Sequence, residues 1–175
     1  PSCCKKRIQI QNMDKLNKLD ILNEKIMTAE QLRSRLNVWR LLDKKIVFTN
    51  GCFDLLHRGH ADYLSKAADL GDRLIVGLNS DRSTAQLKGP GRPINDEDSR
   101  AALLASFFFV DTVILFDEDT PLDLISWIKP DVLVKGADYS IDQIVGADVV
   151  LHNGGSVQTV QFLPGYSTTL IEQKI

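Results

Sequence analysis

The chain has 175 residues, of which 43% are hydrophobic and 25% are charged, and its formal net charge is −2. This composition is typical of one globular domain with a real core. It argues against a nucleic-acid binder, which usually carries a basic excess, and no apolar run is long enough to span a bilayer. We therefore expect a cytoplasmic protein without nucleic-acid or membrane partners. The sparse cysteines Cys3, Cys4 and Cys52 give no disulfide framework.

Residues 1–43 are predicted to form an N-terminal extension that is partly helical. Residues 1–27 are polar and weakly patterned, which indicates a flexible or loosely helical segment. Thr28 and Gln31 match a capping box, and the leucines and tryptophan that follow have helical spacing. A helix near 28–43 should pack either on its own domain or on a second subunit.

From residue 45 onward, strand-like runs alternate with helix-like segments. Four of the five strand-like runs are nearly continuously apolar, as expected of parallel strands that are buried on both faces. The predicted strands are 45–50, 73–79, 111–116, 131–135 and 156–163. The predicted helices are about 59–70, 97–107, 121–129, 141–153 and 168–175. This alternation predicts an α/β domain over 44–175, with a Rossmann-like, doubly wound parallel sheet of five strands.

Ligands of such sheets bind beyond the carboxyl ends of the strands, so the functional residues are expected in the loops that follow them. Those loops are 49–60, 79–96, 117–120, 135–140 and 164–169. The familiar phosphate motifs are absent, because the chain has no Gly-Lys dipeptide and no G-x-G-x-x-G after the first strand.

The first strand instead runs into FTNGCFDLLHRGH, residues 48–60. Asn50 and Gly51 signal a turn at the strand tip. The end of the stretch stands at the start of a helix, where free N–H groups and the macrodipole favour anions. Gly59 lacks a Cβ atom and allows a ligand or another loop to approach.

The two histidines of this stretch, His57 and His60, have several possible roles. As zinc ligands they would form an incomplete set with Asp54, since zinc takes three or four ligands. They could also be ordinary residues of a turn. A third possibility is a phosphate site, in which imidazole N–H groups stabilise charge on a phosphoryl group.

The stretch GCFDLLHRGH resembles the H-x-G-H signature of the nucleotidyltransferase superfamily, which includes cytidylyltransferases, pantetheine-phosphate adenylyltransferases and class I aminoacyl-tRNA synthetases. Three further stretches follow in matching order: GLNSDRSTAQLKGPGRPI (77–94), DVLVKGADY (131–139) and GYSTT (165–169). Together they resemble the adenylyltransferase domain of ADP-heptose synthesis, of the RfaE or HldE type. The resemblance covers about residues 44–175.

This resemblance implies transfer of AMP from ATP to D-glycero-β-D-manno-heptose 1-phosphate, giving ADP-heptose and pyrophosphate for a lipopolysaccharide core or a related heptose glycan. Such a reaction needs no covalent enzyme intermediate, so positioning and charge stabilisation dominate. Mg²⁺ is implied as the companion of the triphosphate, although no carboxylate cage is visible in the sequence. Two alternatives remain: a cytidylyltransferase acting on a small alcohol phosphate such as glycerol 3-phosphate, and a non-catalytic nucleotide-binding module.

The resemblance also assigns roles at the expected ligand edge. The catalytic residues would be His57, His60, Lys88 and Lys135. The nucleotide would be bound by Thr49, Asn50, Gly51, Phe53, His57, Gly59, His60, Lys88, Arg100, Gly136, Asp138, Ser167 and Thr168. The second substrate would be contacted by Asp54, Asn79, Arg92 and Lys135.

Several of these residues also have ordinary structural explanations. Asp54 could be a turn residue, Asp81 is expected to make an Asx turn, and Ser167 is a good N-cap. Lys88 is predicted to lie in a flap loop, KGPGRP, that closes over phosphates. Lys135 ends a buried strand, where packing alone hardly explains a lysine.

The expected partners are ATP and a sugar 1-phosphate, and we expect a homodimer or a higher homo-oligomer. Relatives of this domain are often fused to a sugar kinase. Residues 1–43 are too few for one, so a separate heptose kinase is expected to supply the sugar 1-phosphate.

Overall fold

A computed structural model describes residues 17–137 and 140–173 of the chain. Its centre is a sheet with strands β1 (Ile46–Gly51), β2 (Arg73–Asn79), β3 (Thr112–Phe116), β4 (Val132–Gly136) and β5 (Ser156–Val160). The strand order is β3-β2-β1-β4-β5, and all four neighbouring pairs are parallel. The order reverses between β1 and β4, which is the switch point of a doubly wound sheet. The predicted sheet is confirmed.

Helices cover both faces of this sheet. They are α1 (Lys18–Asn23), α2 (Ala29–Leu41), α3 (Arg58–Ala68), α4 (Asp81–Lys88), α5 (Glu97–Ser106), α6 (Leu122–Ile128), α7 (Ala147–His152) and α8 (Thr168–Glu172). The predicted capping box of α2 is present, because the side chains of Thr28 and Gln31 each accept a hydrogen bond from the other's backbone N–H.

Three predicted elements differ from the structure. The strand predicted over 156–163 ends at Val160. Residues 81–88 were predicted to be loop but form α4, whose N-cap is Ser80. The single helix predicted over 141–153 is divided into a 3₁₀-helix (Ile141–Gln143) and α7, with Gly146 between them at φ +81°.

Each face of the sheet carries its own apolar core. On one face, Leu32, Leu36 and Trp39 of α2 join side chains of the central strands and of α6 and α7. On the other face, α3 and α5 pack against side chains that point the opposite way from the same strands. The buried stripe of α2 therefore packs on its own domain, which is one of the two positions expected for it.

The segment before α2 covers the β3 edge of the sheet. Ile26 forms a parallel bridge to Val113, with Met27 N donating to Val113 O at 2.9 Å and Val113 N donating to Lys25 O at 2.8 Å. The unpaired backbone groups of an exposed edge strand can form hydrogen bonds with another chain, and this bridge occupies two of them. Cys3 and Cys4, with most of the predicted segment 1–27, lie outside the described residues.

Within the described parts of the chain, none of the helices combines the length and apolarity needed to cross a membrane.

Candidate active site

A cavity of about 570 Å³ opens at the carboxyl ends of β1, β2 and β4, the edge at which ligands of this fold are expected. Helices α3 and α4 and the segments after β1 and β5 supply its walls. It is lined by Asn50, Gly51, Cys52, Phe53, Asp54, His57, His60, Tyr63, Asn79, Leu87, Lys88, Lys135, Gly136, Phe162, Tyr166, Ser167 and Thr168. All four predicted catalytic residues are thus brought to one cavity.

The two histidines form a stacked pair at the start of α3. His57 is the N-cap residue and His60 lies in the first turn, with ring centroids 3.9 Å apart and planes inclined by 21°. The Nδ1 atoms of both rings are buried and have no hydrogen-bond partner among the described residues. Gly59 permits this packing, since a Cβ atom there would lie 3.0 Å from the His57 ring and from Tyr166 Cβ. The close approach of another loop, expected at Gly59, is therefore present.

Burial keeps the histidine pair neutral at physiological pH. Desolvation, together with the nearby charges of His57 and Lys88, lowers the pKa of His60 from 6.5 to about 4. Desolvation also lowers the pKa of His57. A neutral imidazole has one N–H donor and one acceptor nitrogen, so each ring can donate one hydrogen bond to a phosphate oxygen.

Two lysines add positive charge to the same cavity. Lys135 lies in β4, and its Nζ donates to Asn50 Oδ1 at 2.5 Å and to Asn50 O at 3.5 Å. Lys88 is exposed and ends helix α4, which corrects the prediction that it lies in a flap loop. The turn that follows has glycines with positive φ at Gly89 and Gly91.

Asp54 was predicted to contact the second substrate, but its carboxylate is occupied by the protein. The residue is 1% exposed. Its Oδ2 accepts from Arg92 Nη1 at 2.5 Å, and its Oδ1 accepts from the N–H groups of Ile94 at 2.7 Å and Asn95 at 3.4 Å. Burial acts to raise the pKa of Asp54, but the bonds from Ile94 and Arg92 outweigh it and the net shift is downward. Asp54 therefore anchors the loop before α5.

Arg92 is held in the same ion pair and is not one of the side chains that line the cavity. Its predicted contact with the second substrate is therefore not supported by this geometry. Arg92 instead closes the loop 92–95 onto the turn after β1.

Two predicted nucleotide contacts lie behind the cavity wall. Thr49 is fully buried, and its Oγ1 is 2.7 Å from the hydroxyl oxygen of Tyr63. Arg100 is 0% exposed, with its guanidinium donating to backbone carbonyls and to Asp81. Neither side chain lines the cavity, so the structure corrects the prediction that Arg100 contacts a phosphate.

Some of the remaining predicted residues line the cavity, and others hold the elements around it. Asn79 lines the cavity and donates from Nδ2 to Ser83 Oγ at 2.9 Å. Asp81 begins α4 and does not form the expected Asx turn. Ser167 lines the cavity while its Oγ accepts from Leu170 N at 3.1 Å as the N-cap of α8. Asp138 lies outside the described residues.

An aromatic wall was missed from the sequence. Phe162 and Tyr166, after β5, line the cavity, and the ring of Phe162 packs 5.5 Å from that of Tyr63. Tyr166 accepts a hydrogen bond from Arg58 Nη1 at 3.2 Å, and the same guanidinium lies 5.6 Å from the ring centroid. Tyr166 belongs to the GYSTT stretch, so its place in that motif was the available signal.

Comparison with known proteins agrees with this geometry. A profile of the cytidylyltransferase-like family matches residues 48–174. The chain is 52% identical to the bifunctional protein HldE of Campylobacter jejuni subsp. doylei over 168 residues, which cover 96% of this chain and 35% of that protein. It is also 52% identical to the bifunctional protein HldE of Methylobacillus flagellatus over 152 residues, which cover 87% of this chain and 31% of that protein. The chain thus spans about a third of the length of these relatives.

Two solved structures share the fold. The lipopolysaccharide core biosynthesis protein from Thermoplasma volcanium GSS1 aligns with a TM-score of 0.55 and 34% identity, covering 69% of this chain and 97% of that chain. Pantoate-beta-alanine ligase from Francisella tularensis aligns with a TM-score of 0.58, covering 84% of this chain and 75% of that chain; at 17% identity the likeness concerns the fold alone. From the family profile, these relatives and the cavity at the switch point, we conclude that the chain is a nucleotidyltransferase and belongs to the cytidylyltransferase-like family.

Proposed function

We propose that this protein transfers AMP from ATP to D-glycero-β-D-manno-heptose 1-phosphate and releases pyrophosphate. In this reaction an oxygen of the sugar phosphate forms a bond to the α-phosphorus of ATP. The bond from that phosphorus to the bridging oxygen breaks, and pyrophosphate takes the electron pair. The attacking phosphate is already an anion, so no general base is needed.

The observation that carries this proposal is the convergence of four donor groups on one cavity. His57 and His60 both line it, and desolvation lowers the pKa of each imidazole, which favours the neutral form. Lys88 and Lys135 line the same cavity. Fixed N–H donors and cations of this kind stabilise the charge that grows on the phosphoryl oxygens in the transition state.

The heptose acceptor is proposed from the relatives. The curated relatives are named bifunctional protein HldE, and the neighbour from Thermoplasma volcanium is named a lipopolysaccharide core biosynthesis protein. The H-x-G-H, KGADY and GYSTT stretches resemble the adenylyltransferase domain of this type. We further propose that a kinase supplies the heptose 1-phosphate and that the enzyme acts as a homo-oligomer.

Mg²⁺ generally accompanies ATP in nucleotidyltransferases of this kind. Within the described ranges, no group of three or more His, Cys, Asp and Glu side chains is placed to hold a metal ion. Asp54 is the one carboxylate among the lining residues, and it is engaged by Arg92 and two backbone amides. The metal would therefore be held by the nucleotide phosphates, and the described side chains do not form a cage for it.

A pyrophosphate-release assay tests the proposal. The protein is incubated with Mg²⁺, with either the heptose 1-phosphate or glycerol 3-phosphate as acceptor, and with each of ATP, CTP, GTP and UTP in turn. We expect release with ATP, dependent on the sugar phosphate. Release with CTP and glycerol 3-phosphate, and none with ATP, would replace this function with the cytidylyltransferase alternative. Absence of release with every nucleotide and acceptor would contradict any transferase activity of the isolated chain.

A further inference from the structure

Arg100, on the first turn of α5, is a buried cation that the proposed chemistry does not use. Its side chain is 0% exposed and lies beside the cavity without lining it. Burying a guanidinium is costly unless its donors are satisfied by partners within the protein. The partners of Arg100 therefore indicate what the residue does.

Those partners belong to three separate segments that meet at the carboxyl edge of the sheet. Nη1 donates to Cys52 O at 2.6 Å, in the turn after β1, and to Asn79 O at 2.8 Å, at the end of β2. Nε donates to Asn95 O at 3.0 Å, in the loop before α5. Cys52 and Asn79 both line the cavity, so the guanidinium fixes two of its walls through their backbones.

The fourth partner connects Arg100 to helix α4. Nη2 donates to Asp81 Oδ1 at 2.7 Å, and the N–H of Asp81 donates to Glu97 Oε2 at 2.8 Å. Asp81 is the first residue of α4 and Lys88 is the last. The start of the helix that carries the cavity lysine is therefore tied to α5 by two bonds.

We infer that Arg100 is a positioning residue of the transferase site: through Cys52, Asn79 and Asp81 it fixes the turn that precedes the histidine pair relative to the helix that carries Lys88. This inference rests on the proposed function. Only a planar guanidinium presents its donors in a rigid fork to four oxygens at once. A lysine at the same place would keep the charge but satisfy fewer of them.

The test uses Arg100→Lys, with Arg73→Lys as the matched control. Arg73 pairs with Asp111 at 2.9 Å at the amino ends of the strands, away from the cavity. Each variant is assayed at a temperature at which circular dichroism shows it fully folded. We expect R100K to lower kcat about tenfold or more, because small misplacements of reacting groups are costly, with the Kd for ATP changed less than about threefold. R73K should keep wild-type kcat.

Hydrogen exchange supplies a readout that needs no substrate. In R100K we expect faster exchange of the amides in 51–54 and 79–84, with the core of β1 and β2 unchanged. If wild type is inactive, the proposed function fails, while the exchange result still decides the role of Arg100. Unchanged kcat and exchange would overturn the inference. A loss of ATP binding as large as the loss of kcat would overturn it too, in favour of direct phosphate contact.

If R100K does not fold, Asp81→Ala carries the test. Asp81 is partly exposed, and its truncation removes the acceptor of Arg100 Nη2 while leaving the carbonyl bonds of Arg100 in place. A several-fold loss of kcat with faster exchange at 79–84 supports the inference. A folded D81A variant with wild-type kcat and exchange would overturn it.

Discussion

At the scale of single residues, the site depends on keeping His57 and His60 uncharged in a buried stack. The rings lie 3.9 Å apart, so protonating either one places a cation beside its neighbour and near Lys88. Burial has already lowered both pKa values. The pair is therefore suited to donating hydrogen bonds to phosphates at neutral pH, and acid should disturb it.

We predict a pH-dependent stability that comes largely from His60. Its pKa is about 4 in the folded protein and 6.5 when the imidazole is fully solvated, as in an unfolded chain, so the unfolded state binds the proton more readily between those values. The contribution of His60 to the free energy of unfolding is fully present above about pH 6.5. It falls by about 3 kcal/mol as the pH drops toward 4. Urea unfolding from pH 7 to pH 4.5 measures this slope.

The variant His60→Asn should remove most of that slope, because the substituted amide does not titrate. His152→Asn is the matched control, since His152 is exposed in the last turn of α7. H152N should retain the wild-type slope. An H60N protein that loses stability between pH 6.5 and 4.5 as steeply as wild type would contradict the role given to burial.

Lys88 is the residue whose loss should affect nucleotide binding with the least effect on folding. It is exposed at the end of α4 and lines the cavity. Hydrogen bonds to charged groups contribute about 1.5–3 kcal/mol, so Lys88→Ala should raise the Kd for ATP about tenfold or more. Isothermal titration calorimetry measures the affinity, and thermal unfolding measures the stability.

Lys66→Ala is the control for this change. Lys66 pairs with Asp62 at 2.6 Å on the exposed face of α3, and exposed pairs of this kind contribute little to stability. K66A should bind ATP as wild type does. Equal affinities in K88A and wild type would remove Lys88 from the site.

At the scale of elements, the sequence predicted the strands better than the helices. Strands β1 to β4 are short apolar runs that are mostly buried, so composition alone marks them. Helix α4 was missed because its buried side chains are Ser83 and Thr84, which leave no apolar stripe to recognise. The break between the 3₁₀-helix and α7 was missed because it depends on tertiary packing: a Cβ atom on Gly146 would lie 2.9 Å from Ile125 Cδ1.

In the site, too, local sequence predicted some features, and others depend on tertiary packing. Residues at strand ends, such as Lys135 and Asn79, were placed correctly because parallel strands bring their carboxyl ends to one edge. The H-x-G-H motif likewise identified the two histidines of the site. Whether a charged side chain points into the cavity or behind its wall depends on partners distant in sequence. Asp54 and Arg100 were therefore assigned to substrates, although each is held by protein groups.

At the scale of the whole molecule, the segment before β1 is part of the fold that supports the site. The apolar face of α2 covers one side of the sheet, and the bridge at Ile26 covers the β3 edge. Residues before 44 were predicted to be an extension of the transferase domain. The described part of this extension, residues 17–43, contacts the sheet, so we expect it to unfold together with the domain.

Leu36→Ala tests this cooperativity. Leu36 is 2% exposed within the core on that face, and truncation of a buried leucine costs about 2–5 kcal/mol. We expect a single unfolding transition whose midpoint falls by roughly 4–20 °C, given about 2–4 °C per kcal/mol for a chain of this size. Val38→Ala, on the same helix but 52% exposed, should change stability by less than about 0.5 kcal/mol. If L36A instead melts α2 in a separate early transition and leaves the main one unmoved, α2 belongs to an independent extension and the site does not depend on it.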